Sequence, residues 1–172
     1  EVRIHCCVTA AQMWQDDALE RLVPVLCKAA RSVGAIAIQN RATIGGNIAN
    51  ASAAADMPVA LLALDASVTL ESVSGKRILA LEQFCDSYRK TNMNPNELLS
   101  TVSIPIPPEG SIQEFVKRGS RASLTLSRMS MAFLSTKRGN GFFDVRIAAG
   151  SMSPVPMRLR KTEAIIRDRP LS

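Results

Sequence analysis

Residues 39–58, QNRATIGGNIANASAAADMP, show no helical or strand period, although apolar elements of ordinary character flank them on both sides. This stretch constrains the chain more than any other, because a long segment without regular structure inside a compact domain is usually functional. At its centre, Arg41-Ala42-Thr43-Ile44-Gly45-Gly46-Asn47 carries two adjacent glycines. Without a Cβ the backbone there can come within contact distance of a ligand, leaving successive N–H groups to bind phosphate oxygens. Such a nest suits a pyrophosphate, with the Thr43 hydroxyl, the Asn47 amide and the Arg41 charge beside it. A tight diglycine turn without a ligand accounts for the same residues. The Walker and Rossmann spacings are both absent.

The remaining pattern is mixed helix and strand. Residues 1–8 alternate as a strand, with Val2, Ile4, Cys6 and Val8 on one face. Thr9 caps a short helix from Ala10, and residues 19–33 place apolar positions at helical spacing. Asp56 stands where an N-cap belongs, Pro58 falls in the first turn, and 59–65 read as a buried helix. A hairpin follows, with strands 67–71 and 77–81 across Ser74-Gly75. Asn94 to Glu97 open a turn, and the strand 98–105 ends at Pro105, Pro107 and Pro108. That proline cluster divides the chain into residues 1–107 and 108–172. Beyond it, 113–118, 130–137 and 142–152 predict three antiparallel strands, the last two joined at Gly139-Asn140-Gly141. Pro154 and Pro156 stop the sheet, and 158–167 read as a helix with Leu159, Ala164, Ile165 and Ile166 on one side. The fold class is α+β.

Composition narrows the chemistry. His5 is the one histidine, and the four cysteines Cys6, Cys7, Cys27 and Cys85 form no CxxC pair. A Ser/His/Asp or Cys/His arrangement could use no histidine but His5, and a multi-histidine metal site is excluded. No acid, base or nucleophile from this chain is expected. The N-terminal residues lack a signal-peptide pattern and no window is apolar enough for a membrane helix, so a cytosolic setting is the default. Because residue 1 is Glu, the chain reads as starting mid-protein. The net charge of +6, with Arg158, Arg160, Lys161, Arg167 and Arg169 near the end, motivates a competing reading as a basic nucleic-acid-binding module. Aromatic residues at 4% argue against it, since single strands bind largely by stacking.

The runs ATIGGNIANASAAADMPVALLALDASVTL and YRKTNMNPNELLSTVSIPIP resemble the FAD-binding subunit or domain of the molybdenum hydroxylases, the xanthine dehydrogenase and carbon monoxide dehydrogenase medium-subunit flavoproteins. EFVKRGSRASLTLSRMSMAFL and DVRIAAGSMSPVPMRLRKTEAII resemble that family's C-terminal domain, including a Gly-x-x-x-Pro-x-Pro-x-Arg turn. The resemblance implies the second lobe of a two-lobed, PCMH-type FAD-binding domain over 1–107, then part of an antiparallel-sheet and helix domain over 108–172. It assigns Thr43, Ile44, Gly45, Gly46 and Asn47 to the FAD pyrophosphate and ribityl region, and Asp56 to the cofactor's polar chain. Leu99 and Lys117 match an apolar wall and a cation beside the flavin. Simple strand core and a solvated surface charge are the alternatives for those two. Molybdopterin and 2Fe-2S clusters are implied in partner subunits or domains, with electrons leaving through FAD to NAD or another acceptor. Gln39 departs from the family's usual arginine, and Ala53 from a frequent proline. No counterpart of the N-terminal lobe precedes Glu1, which leaves a non-catalytic remnant of the fold as a further alternative. No cysteine-bearing insertion for an iron–sulfur cluster is present.

Overall fold

In the computed structural model, which describes residues 1–120, 126–139 and 141–167, short helices lead into antiparallel sheets. Strand β1 (Val2–His5) runs through a Cys6-Cys7 turn into α1 (Ala10–Trp14), α2 (Asp17–Leu22), α3 (Pro24–Arg31) and α4 (Ile36–Gln39). Next come α5 (Ile44–Ala49), α6 (Asp56–Ala63), the hairpin β2 (Ser67–Ser72) and β3 (Gly75–Ala80), then α7 (Leu81–Phe84) with the small ribbon β4 (Cys85–Ser87) and β5 (Lys90–Thr91). The chain continues through β6 (Leu98–Ile104), β7 (Ile112–Gly119), β8 (Ser127–Arg138), β9 (Gly141–Gly150), β10 (Met157–Arg158) and α8 (Arg160–Ile166). Asn140 and Arg169 lie outside the described residues.

Local chemistry sets the boundaries. Thr9 caps α1 reciprocally, its Oγ1 accepting from Gln12 N–H at 3.2 Å while Thr9 N–H donates to Gln12 Oε1 at 2.9 Å. The one helix expected over 19–33 is two. Val23, at φ −138° and ψ 58°, is pushed out of the helical region by the proline after it, and Pro24 opens α3 where its missing N–H costs nothing. The first strand ends at His5, so Cys6 and Val8 leave its face. Ala55, not Asp56, is the N-cap of α6, and Asp56 sits in the first turn.

All eight residues of α6 are buried, so the helix is apolar on every side except at Asp56. It packs against α3, β8 and β9. One sheet has the order β1-β6-β2-β3 and the other β10-β9-β8-β7, with every pairing antiparallel. A single apolar cluster includes Val68, Leu99 and Val102 of the first sheet, Leu61 and Leu64 from the α6 region, and Ala132, Leu134 and Ala148 of the second. The core therefore crosses the proline cluster.

The last helix docks through charge. Its apolar side does not face inward: Ala164 and Ile165 are exposed, and Glu163 is the buried residue at 2% exposure. Arg158, 5% exposed, donates from Nε to Glu163 Oε1 at 2.6 Å and from Nη2 to Oε2 at 3.0 Å. Its Nη1 reaches the Leu62 carbonyl at 3.2 Å and the Asp65 carboxylate, while Glu163 Oε1 also accepts from Ile147 N–H at 2.7 Å. The C-terminal segment is thereby fastened to the end of α6. Two of the five residues behind the nucleic-acid reading are engaged here: Arg158 spends its fork on Glu163, and Arg160 pairs with Glu82 at 2.6 Å.

Candidate functional site

Thr43, at φ −91° and ψ 156°, is the N-cap of α5, and its Oγ1 accepts from Gly46 N–H at 3.1 Å. The other N–H groups of the turn are spent as well. Ile44 donates to the Val8 carbonyl, Gly45 to the Cys6 carbonyl and Asn47 to the Thr43 carbonyl, each at 2.9 Å. An open nest of amides for a pyrophosphate, the expectation from the diglycine, is therefore not formed by Ile44, Gly45, Gly46 and Asn47. The first glycine serves close packing instead, since a methyl group on Gly45 would stand 2.6 Å from Cys6 Cβ. Ile44 is core. Gly46 is exposed and Asn47 half-buried, so these two present the turn outward.

Asn47 opens into a cavity of about 420 Å³ that also takes in Gly34, Ile38, Asp56, Lys117 and Ser127. Lys117, on β7, lies across it from the head of α6, its Nζ 2.5 Å from Asp56 Oδ2 and 2.9 Å from the Ser32 carbonyl oxygen. Burial at 4% exposure pushes the Asp56 carboxyl above its ordinary value, and the Lys117 ammonium opposes that shift. Three oxygens of this wall, Asn47 Oδ1, Asp56 Oδ1 and Ser127 Oγ, are buried without a hydrogen-bond partner among the described residues. Buried polar atoms are normally satisfied, and three of the five such orphans among the described residues belong to residues lining this cavity, which makes it a candidate for a ligand that donates hydrogen bonds. A larger hollow of about 730 Å³ beside β1 and α2 includes the exposed His5, and none of its lining residues carries such an orphan. The smaller cavity is the better candidate.

Leu99 lies elsewhere. It pairs with Leu70 within the first sheet, is buried in the apolar cluster, and does not line the cavity. Gln39 holds helices together, donating from Nε2 to the Arg31 carbonyl at 2.8 Å and accepting from Trp14 Nε1 at 3.0 Å. Residues missed in the sequence complete the site. Ser127 and Ser32 had no signal, since isolated serines recur everywhere. Arg89, from the turn between β4 and β5, donates to Asn50 Oδ1 at 2.8 Å and steadies the end of α5.

Residues 1–107 match the family described as FAD binding domain in molybdopterin dehydrogenase. The chain belongs to this family. It is 28% identical over 172 residues to the xanthine dehydrogenase FAD-binding subunit of Escherichia coli O157:H7, covering 99% of this chain and 59% of that protein. It is 31% identical over 148 residues to the glyceraldehyde dehydrogenase medium chain of Sulfolobus acidocaldarius, covering 86% of this chain and 52% of that one. In structure it is similar to carbon monoxide dehydrogenase from Hydrogenophaga pseudoflava, with a TM-score of 0.95 at 22% identity over 99% of this chain and 59% of that chain. The chain thus spans little more than half the length of these relatives.

FAD is the cofactor of the family, and the wall described above fits it. Orphaned acceptors on Asn47 and Asp56 suit the hydroxyl groups of the cofactor's polar chain, and the adjacent cation suits its anionic groups or an electron-rich ring. No helix among the described residues is long and apolar enough to cross a membrane.

Proposed function

We propose that this chain supplies one wall of the FAD site in the electron-transfer component of a molybdenum hydroxylase of the xanthine dehydrogenase type, in a cytosolic complex. The observation that carries the reading is the convergence of Asn47, Asp56 and Lys117 on one cavity from three separate elements. FAD, when bound, supplies the redox chemistry. Asn47 and Asp56 accept hydrogen bonds from its polar chain through their orphaned oxygens. Lys117 holds a positive charge beside it, fixed in place by Asp56 and the Ser32 carbonyl, and a preorganised cation favours negative charge on a nearby ligand. Thr43, Ile44 and Gly45 act at one remove: the cap, the core anchor and the tight packing present Gly46 and Asn47. Leu99 contributes from the core behind them. Partners carrying iron–sulfur clusters and molybdopterin deliver the electrons, which pass on to NAD or another acceptor.

Titration of FAD into the chain, followed by flavin fluorescence and by the visible absorption retained after desalting, tests the reading. Saturable binding that Asn47→Ala and Lys117→Met each weaken supports it. Equal binding in parent and variants, or no saturation in the parent, overturns it.

A further inference from the structure

The four cysteines occupy different surroundings. Cys27 is buried, donates from Sγ to the Met13 carbonyl at 3.3 Å, and has its thiol pushed up to about 12 by burial. Cys85 is half-buried, and burial raises its thiol too. Cys6 and Cys7 stand together in the turn after β1, with their Sγ atoms 3.7 Å apart, Cys7 exposed and Cys6 half-buried.

Backbone contacts hold this pair. Cys6 N–H donates to the Ser100 carbonyl and Cys6 O accepts from Gly45 N–H, both at 2.9 Å, while Val8 N–H closes the turn onto the His5 carbonyl at 3.0 Å. Gly45 packs against Cys6 Cβ so closely that no side chain fits between them. The Cys6 backbone is thereby held, and the two sulfurs stand 3.7 Å apart. A direct disulfide suits that geometry badly: adjacent Cα atoms stand about 3.8 Å apart, below the roughly 4.4 Å at which ordinary disulfides begin. One atom bonded to both sulfurs removes the strain. The required centre is soft, small and able to form two bonds to sulfur.

We propose that Cys6 and Cys7 form a chelating dithiol site for a soft trivalent thiophile, of which an organoarsenous acid is the representative ligand. The condensation balances without an oxidant. Two S–As bonds form as two As–O bonds break, each thiol proton leaves with a hydroxyl as water, and arsenic stays trivalent. Burial and the neighbouring Cys7 thiol raise the Cys6 thiol. The site lies on the turn behind Gly45, outside the cavity assigned to FAD, and does not depend on that assignment.

The test uses the full chain and one equivalent of phenylarsonous acid, read by intact mass and by thiol counting. One adduct is expected, with the accessible-thiol signal of Cys6 and Cys7 lost and those of Cys27 and Cys85 unchanged. Challenge with excess monothiol then separates two-point from one-point attachment. The parent adduct should persist roughly 10²–10⁴-fold better than that of Cys7→Ser, because the second bond forms at a high effective concentration. Cys85→Ser should behave as the parent, and a chelating dithiol should strip the adduct from both. Cys7 is exposed, so Cys7→Ser remains folded and decisive even where Cys6→Ser does not. An adduct on Cys27 or Cys85, or equal loss to monothiol from the parent and Cys7→Ser, overturns the proposal.

Discussion

Lys117 Nζ lies 2.5 Å from Asp56 Oδ2, an ion pair that joins β7 to the first turn of α6 across 61 positions of sequence. Both partners are largely buried, so each charge is tolerable only because the other is there. The pair also fixes where the cation of the proposed flavin wall stands, together with the bond from that ammonium to the Ser32 carbonyl.

Removing one partner strands the other. Lys117→Met should cost about 3 kcal/mol in urea denaturation, because the Asp56 carboxylate is left uncompensated in a largely apolar setting. The double variant Lys117→Met/Asp56→Asn should regain most of that stability while binding FAD no better than the single variant. A double variant as unstable as the single one would show that the ion pair itself is not the cause.

Arg158 and Glu163 form the second buried pair, and geometry matters there more than charge. Arg158→Lys keeps the charge but loses the two-pronged contact to Glu163, and should lower stability by about 2 kcal/mol, measured by thermal and chemical melting. Arg158→Met removes the charge as well and should cost about 3–5 kcal/mol. Neither should alter any residual affinity for DNA, because this guanidinium never faces solvent.

The acid limb of the stability curve should carry the mark of Glu97. Arg77 donates to it at 2.6 and 2.8 Å and Asn94 N–H at 2.7 Å, which holds its carboxyl down to about 2 from an ordinary 4.5. A depressed carboxyl means that the unfolded chain takes up the proton first, so stability present above pH 4.5 is lost as pH falls toward about 2. Asp56 runs the other way. Its raised carboxyl contributes stability below its ordinary 3.8 that is lost as pH rises through the raised value. Melting temperatures measured across this range should fall less steeply on the acid side in Glu97→Gln than in the parent.

The two glycines of the turn should separate cleanly. Gly45→Ala forces a methyl against Cys6 and should cost about 1–3 kcal/mol. Gly46→Ala meets only Thr43 Oγ1, at 3.1 Å, and lies on the exposed side of α5, so its stability should change by no more than about 0.5 kcal/mol. Equal losses at the two positions would contradict the assignment of one glycine to packing and the other to the surface.

Much of the fold was legible because its signals are local. The Thr9 cap, the β2–β3 hairpin, the strands β7, β8 and β9, and the α6 helix follow from caps, turns and periods that neighbouring residues set among themselves. The break at Val23 was equally local, and Pro24 is its signal. The ribbon of β4 and β5 was not legible: β4 and β5 together hold five residues and too little pattern to show. For the proposed site, the diglycine motif lies beside the cavity, but its amides do not form the open nest expected of them. Gly46 and Asn47 bond locally to Thr43, whereas Ile44 and Gly45 bond to Val8 and Cys6, partners that only the return of α5 against the β1 turn brings close.

By itself the sequence determined the mixed helix-and-strand class, the family and the residues to watch, Thr43 through Asn47, Asp56, Leu99 and Lys117, but not α5, which forms inside the stretch read as irregular. Tertiary structure alone decided their surroundings, because a buried charge, an orphaned oxygen and a cavity depend on groups distant in the chain. It set Leu99 into the core, turned Arg158 inward onto Glu163, and brought Lys117 to Asp56 beside Asn47. Periodicity reports which face of an element is apolar, whereas desolvation and pairing depend on what the fold places against that face.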